Sequence, residues 1–80
     1  MKVLVKYLGL YQEAMGLKEK IYELPKGSSV QDLYRIILNA LPKNRRLPKT
    51  LFAINQEFVK SSCQLKDGDE LALIPPMSGG

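Results

Sequence analysis

Apolar and polar positions alternate at period two over Lys2-Val-Leu-Val-Lys-Tyr-Leu8, which puts Val3, Val5 and Tyr7 on one face of a strand. The stretch from Gly9 to Gly16 carries two glycines and polar residues, and a second extended run follows from Lys18 to Leu24, closed by Pro25-Lys-Gly27. These two runs read as a hairpin, with Tyr11-Gln-Glu-Ala-Met15 able to form a short helical turn between them. The period then changes. Val30, Leu33, Ile37 and Leu41 recur at helical spacing, Ser29 stands before them with Asp32 three residues on, and Pro42 closes the run. This pattern predicts a helix over residues 30–41 that covers one face of a sheet.

Three shorter extended runs follow. Thr50 to Ile54 is a third strand, ended by Asn55-Gln56, residue types that tolerate turn conformations. Phe58-Val59 reads as a short returning strand and Lys60 to Leu65 as irregular chain. Lys66-Asp-Gly-Asp69 makes a tight turn with Gly68 as the residue for positive φ, and Glu70 to Ile74 is the last strand. Strand, strand, helix, strand, short strand, strand is the order of an α+β fold of the β-grasp type, a mixed sheet of about five strands under one main helix. A right-handed crossover would set the first and last strands side by side and parallel.

Composition narrows the functional classes. With 80 residues, 45% hydrophobic content and 25% charge, residues 1–75 suit one compact soluble domain, followed by a flexible tail over residues 76–80. A core this small leaves little room for an internal pocket. There is no histidine and only one cysteine, Cys63, which excludes an internal disulfide, Ser-His-Asp and Cys-His catalysis and a zinc site built by this chain. Cys63 reads as an ordinary side chain. The N-terminus lacks the apolar run of a signal peptide or membrane span, so a cytoplasmic protein without a membrane contact is expected. Its net charge of +4 favours acidic partners and is too dispersed to argue nucleic acid. The densest basic patch, Lys43 to Lys49, reads first as a solvated loop and second as a source of electrostatic steering.

The tail carries the remaining chemistry. Two glycines at the end have a chance of roughly 0.5% at an average glycine usage of about 7%. A terminal glycine has no Cβ, so its carboxylate can thread a channel too narrow for other residues. Pro75 and Pro76 fix φ near −65° and donate no backbone hydrogen bond, which ends strand pairing and turns the following residues away from the sheet. Met77 to Gly80, fully extended, would reach roughly 13–14 Å, enough to enter a partner's active site. A carboxylate with a typical pKa of about 3.3–3.7 is ionised at neutral pH and a poor electrophile. It therefore needs activation by another protein.

Leu65-Lys-Asp-Gly-Asp-Glu-Leu-Ala-Leu-Ile-Pro-Pro-Met-Ser-Gly-Gly80 resembles the ending of the ubiquitin-like sulfur carriers of the MoaD/ThiS type, and within that family is most similar to molybdopterin synthase small subunits. Ala53-Ile-Asn-Gln56 is similar to the family's Ala-Val-Asn turn, and Lys2-Val-Leu4 to its opening. Tyr7-Leu8 and Gln12-Glu13 stand where the family commonly has Phe-Ala and an Arg-Glu pair. The resemblance implies that a MoeB-type enzyme, using ATP, converts the Gly80 carboxylate to a glycyl adenylate. A sulfur donor enzyme then makes it a thiocarboxylate (1-thioglycine), with Gly79 leaving room for passage. Docked on the large synthase subunit (MoaE type), the tail would give its sulfur to cyclic pyranopterin monophosphate in molybdenum or tungsten cofactor synthesis. The chain itself would be no enzyme and would bind no cofactor or metal. Sulfur supply to thiamin thiazole and ubiquitin-like conjugation of Gly80 to protein lysines are the alternatives. A further reading, nucleic-acid binding through Lys43, Arg45, Arg46 and Lys49, has steep salt dependence as its signature.

Docking requires a surface. With Val3, Val5, Leu71 and Leu73 turned to the helix, alternation puts Leu4, Ala72 and Ile74 on the opposite face, beside Pro75, Pro76, Met77 and Ser78. These seven residues are the expected partner-binding set.

Overall fold

A computed structural model of the chain describes residues 1–41 and 49–75. The elements run β1 (Lys2–Tyr7), α1 (Leu10–Met15), β2 (Glu19–Glu23), α2 (Val30–Ala40), β3 (Leu51–Ile54), β4 (Glu57–Val59) and β5 (Glu70–Ile74). The strands form one mixed sheet in the order β2-β1-β5-β3-β4. β1 and β5 are parallel neighbours, with Val5 opposite Leu71 and Tyr7 opposite Leu73. β1 pairs antiparallel with β2, and β3 pairs antiparallel with both β5 and β4. This is the β-grasp architecture expected from the order of the elements.

The helix forms where the period of 3.6 begins. Ser29, in extended conformation, accepts the Asp32 N–H on its hydroxyl while the Asp32 carboxylate accepts the Ser29 N–H, a complete capping box. α2 ends one residue before the expected limit, because Leu41 adopts extended backbone and buries its side chain. Pro42 and the basic stretch 43–48 lie outside the described residues. Val30, Leu33 and Ile37 turn fully inward and meet Val3, Val5, Leu71 and Leu73 from the sheet. The link between β1 and β2, read mainly as a hairpin connection, contains the six-residue helix α1. Its Tyr11 is fully buried, with its hydroxyl bonded to Tyr34 on α2 and to Thr50, so α1 caps the core on the helical side.

The β3–β4 turn ties the hairpin to the start of β5. Asn55 and Gln56 both have positive φ, 49° and 74°, as a two-residue hairpin turn whose twist matches its strands requires. The Asn55 side chain accepts the Glu70 N–H at 3.1 Å and donates to the Asp69 carboxylate at 3.2 Å, while the Asn55 N–H donates to the Glu70 carbonyl. The other Asp69 carboxylate oxygen accepts the Lys66 N–H at 2.7 Å, fastening the turn around Gly68. Asn55→Gly keeps the backbone conformation and removes both side-chain bonds, leaving the buried Asp69 short of a partner. Thermal unfolding should show a loss of about 1–3 kcal/mol.

Candidate functional site

β5 occupies the middle of the sheet, flanked by β1 and β3, so the chain leaves from the centre of the molecule's end and not from a sheet edge. At that exit Ile74 pairs with Leu51 and Leu73 with Tyr7. Pro75 follows the last ladder pair and is half-buried. On one side it has the turn at Gly9, on the other the start of β3. Exposed apolar side chains surround this exit: Leu8, Leu10 and Leu51.

The sheet has two faces of different character. Val3, Val5, Tyr7, Phe52, Leu71 and Leu73 are buried under the helices. Leu4, Ala72 and Ile74 point the other way and are half-buried, as the alternation predicted. The register extends that face to residues that pattern reading did not pick out. Leu4 faces Ile21, Ala72 faces Ala53, Ala53 faces Phe58, and Ile74 faces Leu51. Phe58 is 70% exposed, Ile21 63% and Leu51 47%. All five strands thus contribute apolar residues to one face of the sheet. The register places Lys2, Glu19 and Glu23 on the same face, together with the Lys6–Glu70 ion pair at 2.9 Å, whose hydrogen bond raises the lysine pKa.

Of the seven expected partner-binding residues, Leu4, Ala72 and Ile74 share one sheet face, with Ile74 and Pro75 at the exit and Leu4 at the other end of β5, level with Glu70; Pro76, Met77 and Ser78 lie outside the described residues, as do Gly79 and Gly80. The tyrosine hydroxyls of the core are inward structural groups. Tyr7 bonds Tyr22, Tyr11 bonds Tyr34 and Thr50, and burial pushes the Tyr7 and Tyr11 phenols well above their ordinary range. Neither could act as a base near neutrality. Cys63 is half-buried in the irregular stretch before Leu65. Among the described residues no group of three or more potential metal ligands occurs, and no helix is long and apolar enough to cross a membrane. A surface hollow of about 600 Å³ lined by Met1, Lys26, Leu65 and Asp67 lies at the opposite end of β1 and β5 from Pro75.

Comparison with known proteins fits this geometry. The chain is 42% identical over 83 residues to the molybdopterin synthase sulfur carrier subunit of Chlamydomonas reinhardtii, covering 100% of each. It superimposes on molybdopterin converting factor subunit 1 of Pyrococcus furiosus with a TM-score of 0.81 and 30% identity, covering 96% of this chain and 99% of that one. The fold recurs in a complex of subunits 1 and 2 of the molybdopterin-converting factor from Helicobacter pylori, with a TM-score of 0.71, 23% identity and all of both chains covered. The family model of the ThiS family matches residues 5–80, from the first strand through the two closing glycines, and the chain belongs to that family.

Proposed function

We propose that this chain is the sulfur-carrying small subunit of a molybdopterin synthase, with the Gly80 carboxyl group as the carrier atom's site. The observation that carries the reading is the central placement of β5, which leads from the core through Pro75 into the Gly79-Gly80 ending of a ThiS-family chain. The chain has no histidine and its buried tyrosines are held neutral, so the catalytic groups belong to partners. A MoeB-type enzyme lets the Gly80 carboxylate attack the α-phosphate of ATP, releasing pyrophosphate. A persulfide on a donor enzyme then displaces AMP to form an acyl disulfide, and a second thiol reduces its S–S bond, releasing the thiocarboxylate and leaving a disulfide on the donor side. Adenylation solves the electrophile problem, since AMP is a far better leaving group than an oxide ion.

The large synthase subunit docks on the apolar face formed by Leu4, Ala72 and Ile74 with Ile21, Leu51 and Phe58, and receives residues 76–80 in its active site. There the thiocarboxylate attacks cyclic pyranopterin monophosphate. The Helicobacter pylori protein of the same fold is found in a complex with a second subunit, which accords with a partner protein here. Reconstitution tests the reading: the thiocarboxylated chain plus the large subunit should convert cyclic pyranopterin monophosphate to molybdopterin, and a chain with an ordinary carboxylate should not. No conversion with the thiocarboxylated chain would refute it.

Docking gives a separate prediction. Phe58 and Ile21 are largely exposed, so Phe58→Asp and Ile21→Asp leave the core intact. Each should weaken binding to the large subunit by about 2 kcal/mol, roughly 30-fold, in titration calorimetry if it lies in the interface centre. Unchanged affinity in both variants and in Leu51→Asp would remove the sheet face from the interface.

A further inference from the structure

We infer that Gly9 is a positioning residue for the reactive terminus: a rigid turn centred on it is the wall against which the Pro75 ring rests, and so sets where the chain leaves the sheet. Gly9 has φ 53° and ψ −122°, and the Leu8 carbonyl accepts the Tyr11 N–H at 3.0 Å. These are the marks of a type II′ turn, whose first central position strongly favours glycine. Both ends of the turn are anchored. On one side Tyr7 is paired with Leu73 and its N–H donates to the Lys18 carbonyl. On the other, Tyr11 is fully buried and bonded to Tyr34 and Thr50. The wall therefore has little freedom to move.

Pro75 closes onto it. A Cβ placed at Gly9 would lie 3.1 Å from the Pro75 Cγ and 3.9 Å from its Cδ. The space a side chain would take at position 9 is the space the ring uses. Any L-residue there must either leave the turn's conformation or displace Pro75, the first residue beyond the ladder and the base of the five that end in Gly80. Displacing Pro75 changes the point and direction from which the chain leaves the sheet, and a misplacement of about 1 Å at a reacting group costs on the order of 10²-fold in rate. Gly9 lies in the turn between β1 and α1 and not in a strand of the apolar face, so the split between kcat and KM separates an effect on delivery from one on docking.

This inference rests on the carrier reading, and its test separates the two. The full chain and its Gly9→Ala, Gly9→Val, Pro75→Ala and double variants are compared as substrates of the MoeB-type enzyme in ATP–pyrophosphate exchange, with thermal unfolding measured alongside. Gly9→Val should lower kcat about 10-fold to 100-fold with KM within about twofold, at temperatures where the variant is folded. The loss should shrink when Pro75→Ala removes the ring, a coupling that a merely structural role would not give. If Gly9→Val does not fold, Gly9→Ala carries the same comparison with a smaller loss. No exchange with the unaltered chain would count against the carrier reading itself. Exchange with the unaltered chain but unchanged kcat in the Gly9 variants, a loss confined to KM, or a loss equal with and without Pro75 would overturn the inference alone.

Discussion

Deleting Gly80 should abolish thiocarboxylate formation and molybdopterin synthesis while leaving the unfolding transition where it was. The two halves of this expectation have separate grounds. The buried hydrophobic core among the described residues runs from Val3 to Leu73, so nothing in it is lost with the last residue. The reacting group, in contrast, is drawn back by one residue, about 3.3–3.6 Å. That is several times the misplacement of about 1 Å that costs on the order of 10²-fold. Product should fall below detection. Gly79→Ile should do the same without changing the chain's length, because a β-branched side chain widens the segment just where a narrow channel must pass it. Mass analysis of the products, together with circular dichroism of the variants, checks both halves. Full activity of the truncated chain would refute the assignment of Gly80.

Leu71→Ala should have the largest effect on stability. Leu71 is fully buried in the central strand, opposite Val5 on β1 and Ile54 on β3, and it belongs to the cluster that α2 covers. Truncating such a side chain typically costs about 2–5 kcal/mol, the transfer free energy plus the cavity left behind. A chain of this length has roughly 4–12 kcal/mol in total, at about 0.05–0.15 kcal/mol per residue. Denaturant titration should therefore show a fall of the midpoint by about a sixth or more, up to partial unfolding in buffer. Activity should fall only with the folded fraction, in contrast to the loss on deleting Gly80. A change below about 1 kcal/mol would mean that the central strand is not where the core is anchored.

The features legible in the sequence are those written within one element. Alternation along residues 2–8 gave Val3, Val5 and Tyr7 their buried face, and Ser29 with Asp32 marked the start of α2. The positive φ values of Asn55 and Gln56 fall at the turn read from their residue types. What escaped is written between elements. The short helical turn open to Tyr11–Met15 forms as α1, but its six residues are too few to show which face packs, and Tyr11 becomes a core residue through hydroxyl contacts 23 and 39 residues away. Pattern alone placed Leu4, Ala72 and Ile74 on the open face. Adding Ile21, Leu51 and Phe58 requires the register of three strand pairings and the order of strands in the sheet. The contact of Gly9 with Pro75 joins the two ends of the chain and has no signal in either stretch by itself; the glycine could be read as a loop residue and the proline as a strand terminator. The closing glycines were readable because their chemistry is local. A terminus without side chains needs no neighbour to make it thin.

The most direct test of the central claim is the intact mass of the protein purified from its native cell under conditions that preserve thioacids. The account predicts a species heavier by the difference between one sulfur and one oxygen atom, with the change confined on fragmentation to Gly80. Finding only the ordinary carboxylate in cells actively making molybdopterin would contradict it.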